Sequence, residues 1–139
     1  MVNERSKQLL TALTSLDEAI KHFKLQETKK TLDEYRRSRD SLIQRFEYCA
    51  DLFWKFLNDY LRRQMSIDVE IARPKAVFKE SHLVGFITKE ELAQCNRLTE
   101  DRNRTSHTYH EQLAEHIADK ICSYYTLMDT ISKRLLSTV

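Results

Sequence analysis

The stretch RNRTSHTYH, residues 102–110, gathers two arginines, an asparagine, two histidines and a tyrosine. These are phosphate-handling side chains. A guanidinium can grip two phosphate oxygens and stabilise charge developing on phosphorus, and an imidazole titrating near neutrality can take up or give back a proton. Asn103, four residues before His107, is placed to bond to the imidazole or to a phosphate oxygen. Together Arg102, Asn103 and His107 suit metal-independent cleavage of RNA. The substrate's own 2′-hydroxyl would attack, leaving a 2′,3′-cyclic phosphate and a free 5′-hydroxyl. One imidazole cannot serve as base and acid on opposite sides of the same phosphorus, so the chemistry calls for a two-fold dimer that brings two copies to one cleft.

These side chains converge only if the backbone breaks between them. Arg102 lies seven residues after Cys95 and four after Leu98, so it continues the apolar face of a helix, where a charge needs a carboxylate partner or a route to solvent. On one unbroken helix His107 would point roughly 140° away from it. Thr108 followed by Glu111 has capping-box spacing and predicts the break.

The elements that must hold this junction follow from apolar periodicity. Leu9, Leu13, Leu16, Ile20 and Phe23 recur at spacings of four and three and predict a first helix over about 4–23. Leu32, Tyr35, Leu42, Phe46, Ala50, Phe53, Leu57 and Leu61 form a second stripe with neither Gly nor Pro. It predicts a spine roughly 50 Å long at the usual helical rise. Pro74 suits the first turn of a short third helix over about 74–84, and Gly85 its stop. Thr88 and Glu91 form another capping box, opening a fourth helix with Leu92, Cys95 and Leu98 on one face. A fifth helix beginning near 109 buries Leu113, Ile117, Ile121, Tyr124, Met128, Ile131 and Leu135.

With one Gly and one Pro in 139 residues, there is little material for the turns of a sheet protein. The expected fold is a single all-α domain over 1–139, an up-and-down bundle of about five helices. A net charge of +2 is too small to mark a nucleic-acid binder by its total. Cys49, Cys95 and Cys122 fall in no CxxC pattern, which argues against a disulfide framework or a zinc cluster and for the reducing cytoplasm. Neither a signal peptide nor a membrane span is legible.

The residues also carry a resemblance. Arg102, Asn103, His107 and Tyr109 form an R-x4-H-x-Y motif that resembles the HEPN ribonucleases, specifically the HepT toxins. RNRTSHTYH is closest to the branch labelled nucleotidyltransferase substrate-binding proteins, and RDSLIQRFEYCADLFWKFLNDYL is similar to that branch's long second helix. The resemblance covers nearly the whole chain. It implies a homodimeric bundle acting as an endoribonuclease toxin, with a minimal nucleotidyltransferase as antitoxin that transfers AMP onto Tyr109. Such a modification would put bulk and negative charge beside His107 and repel RNA. Arg104 departs from the aliphatic residue common at its position. The branch's label implies the alternative, a non-catalytic subunit presenting a nucleotide or another substrate to the nucleotidyltransferase. The nucleotidyltransferase signature G-S-x10-D-x-D is absent from this chain.

Other features admit plainer readings. Arg104 and His110 are candidate RNA contacts, although the plainer reading has Arg104 reaching solvent and His110 an ordinary residue of the first turns of the fifth helix. The eight Lys/Arg against four Asp/Glu over 21–45 suit either RNA phosphates or a solvated helix face. His107, His110 and His116 match no common zinc motif, and no cofactor is expected. Trp54 and the tyrosines at 48, 60, 124 and 125 are expected in the core or a dimer interface rather than stacked on bases.

Overall fold

The structure, a computed structural model, describes residues 3–26, 31–107 and 110–137. Five α-helices follow one another: α1 (Glu4–Gln26), α2 (Leu32–Met65), α3 (Pro74–Leu83), α4 (Lys89–Arg104) and α5 (Glu111–Ser137). A 3-10 turn, Thr105–His107, lies between α4 and α5. No strand occurs among the described residues, as the shortage of Gly and Pro predicts. No helix among them is long and apolar enough to cross a membrane.

α2 is the spine, packing against each of the other four helices. Its 34 residues span about 50 Å. The stripes meet as their spacing predicts. Leu9, Leu13 and Leu16 of α1, Phe46, Phe53, Leu57 and Leu61 of α2, and Ile117, Ile121, Met128 and Ile131 of α5 are buried in one continuous core. Phe46 stacks on Tyr124 with ring centroids 5.6 Å apart.

Helix ends follow local chemistry. The Thr31 hydroxyl caps α2 by accepting from the Glu34 N–H. α3 starts at Pro74 and stops in a Schellman motif: Gly85, at φ +88°, donates to the His82 carbonyl and Phe86 to that of Ser81. Thr88 and Glu91 form the complete capping box, and Glu91 also receives two guanidinium bonds from Arg134 of α5, at 2.9 and 2.7 Å. One N-terminus thereby ties α4 to the far end of α5. α1 runs three residues beyond its predicted end, and α5 starts at Glu111 instead of 109.

Candidate functional site

The junction between α4 and α5 holds the motif. Arg102 and Asn103 occupy the last turn of α4, and His107 closes the 3-10 turn that follows. The predicted interruption between Arg102 and His107 is therefore present, made by a tightening of the helix: the Thr105 N–H bonds to the Arg102 carbonyl three residues back, and the Thr105 hydroxyl donates to the same oxygen at 2.6 Å. The His110 N–H then bonds to the His107 carbonyl at 3.1 Å before α5 begins. Thr108, the predicted cap, and Tyr109, the predicted site of modification, lie outside the described residues. Asn103, Arg104, His107 and His110 are exposed, and Arg102 is partly buried.

Arg102 turns toward α2, as its place on the Cys95–Leu98 face requires. Asp51 grips it side-on, Oδ1 accepting from Nε at 3.0 Å and Oδ2 from Nη2 at 2.9 Å. Nη1 donates to Glu47 at 3.1 Å and to the Thr105 hydroxyl at 3.0 Å. These contacts engage four of the five guanidinium N–H groups. The hydrogen bond to Asp51 raises the Arg102 pKa, against the lowering effect of burial, so the group is a permanent cation in a fixed pose. Glu47 and Asp51 were not anticipated from sequence. Their signal is the row Arg39, Ile43, Glu47, Asp51 at four-residue spacing, one helix face in which charges interrupt the apolar pattern.

That row also supports the far side of the junction. Arg39, 2% exposed, reaches Glu111 at 2.7 and 3.1 Å and Glu115 at 2.9 Å. The Tyr35 hydroxyl donates to Glu115 at 2.8 Å, and Arg36 adds a 3.3 Å contact to Glu111. The hydrogen bond from Arg39 draws the Glu111 carboxyl below its ordinary range. α2 therefore fixes both the end of α4 and the start of α5.

Arg104 faces solvent and pairs with Asp101 at 3.2 Å. Asp101 is buried and accepts the Tyr124 hydroxyl at 2.5 Å. Within the basic segment, Lys21 pairs with Asp17, Arg37 with Asp33, and Arg45 donates to the Ser15 carbonyl. Much of the local excess of cations is thus taken up by intramolecular pairs; Lys29 and Lys30 lie outside the described residues. His116 is an exposed residue early in α5. Among the described residues no group of His, Cys, Asp and Glu is placed to hold a metal ion.

The family model described as "Nucleotidyltransferase substrate binding protein like" matches residues 4–137. The chain belongs to that family. Among solved structures, a Thermus thermophilus protein is 34% identical, with a TM-score of 0.78 over 91% of this chain and 98% of its own. The nucleotidyltransferase substrate-binding fold seen here is also that of two more distant structures. One is a toxin–antitoxin complex with AMP-PNP, with 13% identity, a TM-score of 0.70 and coverage of 96% and 99%. The other is a tri-AMPylated Shewanella oneidensis HEPN toxin in complex with its MNT antitoxin, with 13% identity, a TM-score of 0.69 and coverage of 99% and 100%. A search of curated proteins gives no match.

Proposed function

We propose that this chain is the toxin of a cytoplasmic type II toxin–antitoxin pair, a metal-independent endoribonuclease working as a homodimer. The observation that carries this reading is the break after α4, which puts Arg102 and His107 on successive turns of two different helices. Arg102, fixed by Asp51 and Glu47, supplies the permanent charge that stabilises the pentavalent phosphorus. His107 takes the proton of the attacking 2′-hydroxyl, and the second protomer's copy protonates the departing 5′-oxygen. Asn103 supports the imidazole or a phosphate oxygen, and Arg104 and His110 extend the RNA contact. Chemistry of this kind needs no metal ion or cofactor.

The antitoxin in this reading is a minimal nucleotidyltransferase that transfers AMP to Tyr109. Support comes from the fold, which is shared with a tri-AMPylated HEPN toxin bound to an MNT antitoxin. The test is cleavage of RNA by the purified chain in excess EDTA. Cutting should leave 2′,3′-cyclic phosphate ends and vanish in Arg102→Ala and His107→Ala; activity surviving both changes overturns the assignment. Incubation with ATP and the partner should add ~329 Da per AMP to the chain, the mass of AMP on a hydroxyl, and Tyr109→Phe should take up none.

One observation favours a second reading, a non-catalytic subunit that presents a nucleotide to the nucleotidyltransferase. Four of the Arg102 N–H groups are already committed to the chain's own side chains, which limits its grip on a phosphate. Nucleotide binding without RNA cleavage, together with partner activity that depends on this chain, is the outcome that selects it.

A further inference from the structure

Beside Arg102 lies a cleft of about 210 Å³ where α2, the start of α3 and the end of α4 meet. Its lining divides by chemistry. Trp54, Pro74, Phe78 and Leu98 form apolar walls, with Phe78 and Leu98 themselves buried in the core. Arg102 and Asn103 stand among the polar groups around it. Trp54 is partly exposed and sits one helical turn beyond Asp51, the residue that grips Arg102. The Lys55 ammonium lies over the indole ring, 6.0 Å from its centroid, close enough to be drawn to the π face.

We propose that this cleft holds one nucleobase, stacked on Trp54 and read along its edge by Asn103, while the attached phosphate reaches Arg102. Pockets for a drug-sized ligand run to about 300–1,000 Å³, and the smaller volume here suits a single planar ring system. An aromatic wall with amide and guanidinium groups beside it is the combination by which unpaired bases are bound, through stacking on one face and hydrogen bonds at the edge. The exposed amide of Asn103 offers both a donor and an acceptor. The inference deepens the ribonuclease reading and rests on it for the base's belonging to an RNA strand; a free mononucleotide would present the same ring.

Trp54 is the only tryptophan of the chain, so tryptophan emission, excited at wavelengths too long for tyrosine to absorb, reports on this cleft alone. The probes are a fluorescein-labelled 2′-deoxy oligonucleotide, which lacks the attacking hydroxyl and cannot be cut, copies of it with one abasic nucleotide at successive positions, and AMP. The intact strand should quench Trp54 saturably, and one abasic position should remove the quenching. Trp54→Ala should weaken the strand's affinity, read by anisotropy, roughly ten- to a hundred-fold. Trp54→Phe, which keeps an aromatic wall if the alanine variant fails to fold, should retain most of it. Asn103→Ala should flatten the preference among bases at the sensitive position. Equal affinity in the wild type and both Trp54 variants overturns the proposal, as does the absence of quenching by strand and AMP alike. Quenching by the strand without any cleavage of the matching RNA keeps the base-binding cleft and overturns the ribonuclease reading. Quenching by AMP alone keeps the cleft and assigns it to a mononucleotide.

Discussion

Asp51 and Arg102 meet in a two-bond, side-on pair, at 3.0 and 2.9 Å, that joins the middle of α2 to the last turn of α4. In the proposed chemistry this makes Asp51 a positioning residue: it sets where the guanidinium points and leaves the proton transfers to His107. Asp51→Asn should lower kcat for RNA cleavage by roughly 10- to 100-fold, the order of loss from misplacing a group by about 1 Å, with little change in KM. In an Arg102→Lys background, which keeps a cation but cannot form the two-bond pair, the same substitution should change the residual rate little further. A double-mutant cycle on single-turnover rates, with Tm measured for each variant, checks this; additive losses would show that Asp51 acts apart from Arg102.

The fold was largely legible in the sequence because the second helix carries its stripe without interruption and the capping residues of α4 are local signals. The site was legible in part. Arg102 stood out as a charge on an apolar face, but its partners Glu47 and Asp51 are more than fifty residues away in sequence, and nothing local to residues 102–110 points to them. Arg39 belongs by sequence to a local basic excess, yet it is buried between α2 and the first turns of α5. Charge counting cannot separate a paired cation from a free one, because pairing is set by helix packing. The helical spacing of Trp54 points to packing, and the cleft beside it exists only once α3 folds back against α2.

Glu91 predicts an acid-sensitive clasp. Its carboxyl accepts two bonds from Arg134 and one from the Thr88 N–H, and the Arg134 bonds above all hold its pKa below the ordinary 4.5. A lowered carboxylate pKa contributes stability that is present above 4.5 and is lost as pH falls through the folded value. Glu91→Gln should therefore cost about 1.5–3 kcal/mol at pH 7, the range for hydrogen bonds to charged groups. The difference should shrink as pH falls below 4.5 and through the lowered folded value. Thermal or urea unfolding of the two proteins between pH 3 and 8 measures it, and a pH-independent difference would assign the loss to packing alone.

The Tyr124 phenol gives the opposite sign. Burial, then its hydrogen bond to Asp101, pushes its pKa well above the ordinary 10. Its contribution is fully present below pH 10 and is lost as pH rises through the folded value. Tyr124→Phe should destabilise the chain by about 1–3 kcal/mol at neutrality, since buried Asp101 loses a donor and keeps Arg104 as a more exposed partner. The gap between the two proteins should narrow above pH 10. In an ultraviolet titration, the wild type should show one more phenol that resists ionisation until alkaline unfolding than Tyr124→Phe does.

Thiol reactivity tests the packing around α2 and α4 without any assumption about function. Cys49 and Cys95 are buried, and burial pushes both thiols up to about 12. Since the thiolate is the nucleophile, both should be inert at pH 8 for two reasons, lack of access and lack of ionisation. Cys122 is exposed on α5, its sulfur 3.5 Å from the Lys24 ammonium. An Ellman titration of the native chain at pH 8 should count one fast thiol, absent from Cys122→Ser, and full reaction of all three should need denaturant. The lag of the two slow thiols then measures opening of the core where α4 meets α2, the contact that holds Arg102. Asp51→Asn should shorten that lag for Cys95, which lies on the same face of α4 as Arg102. An unchanged lag would show that the Asp51–Arg102 pair orients the side chain without clamping the helix.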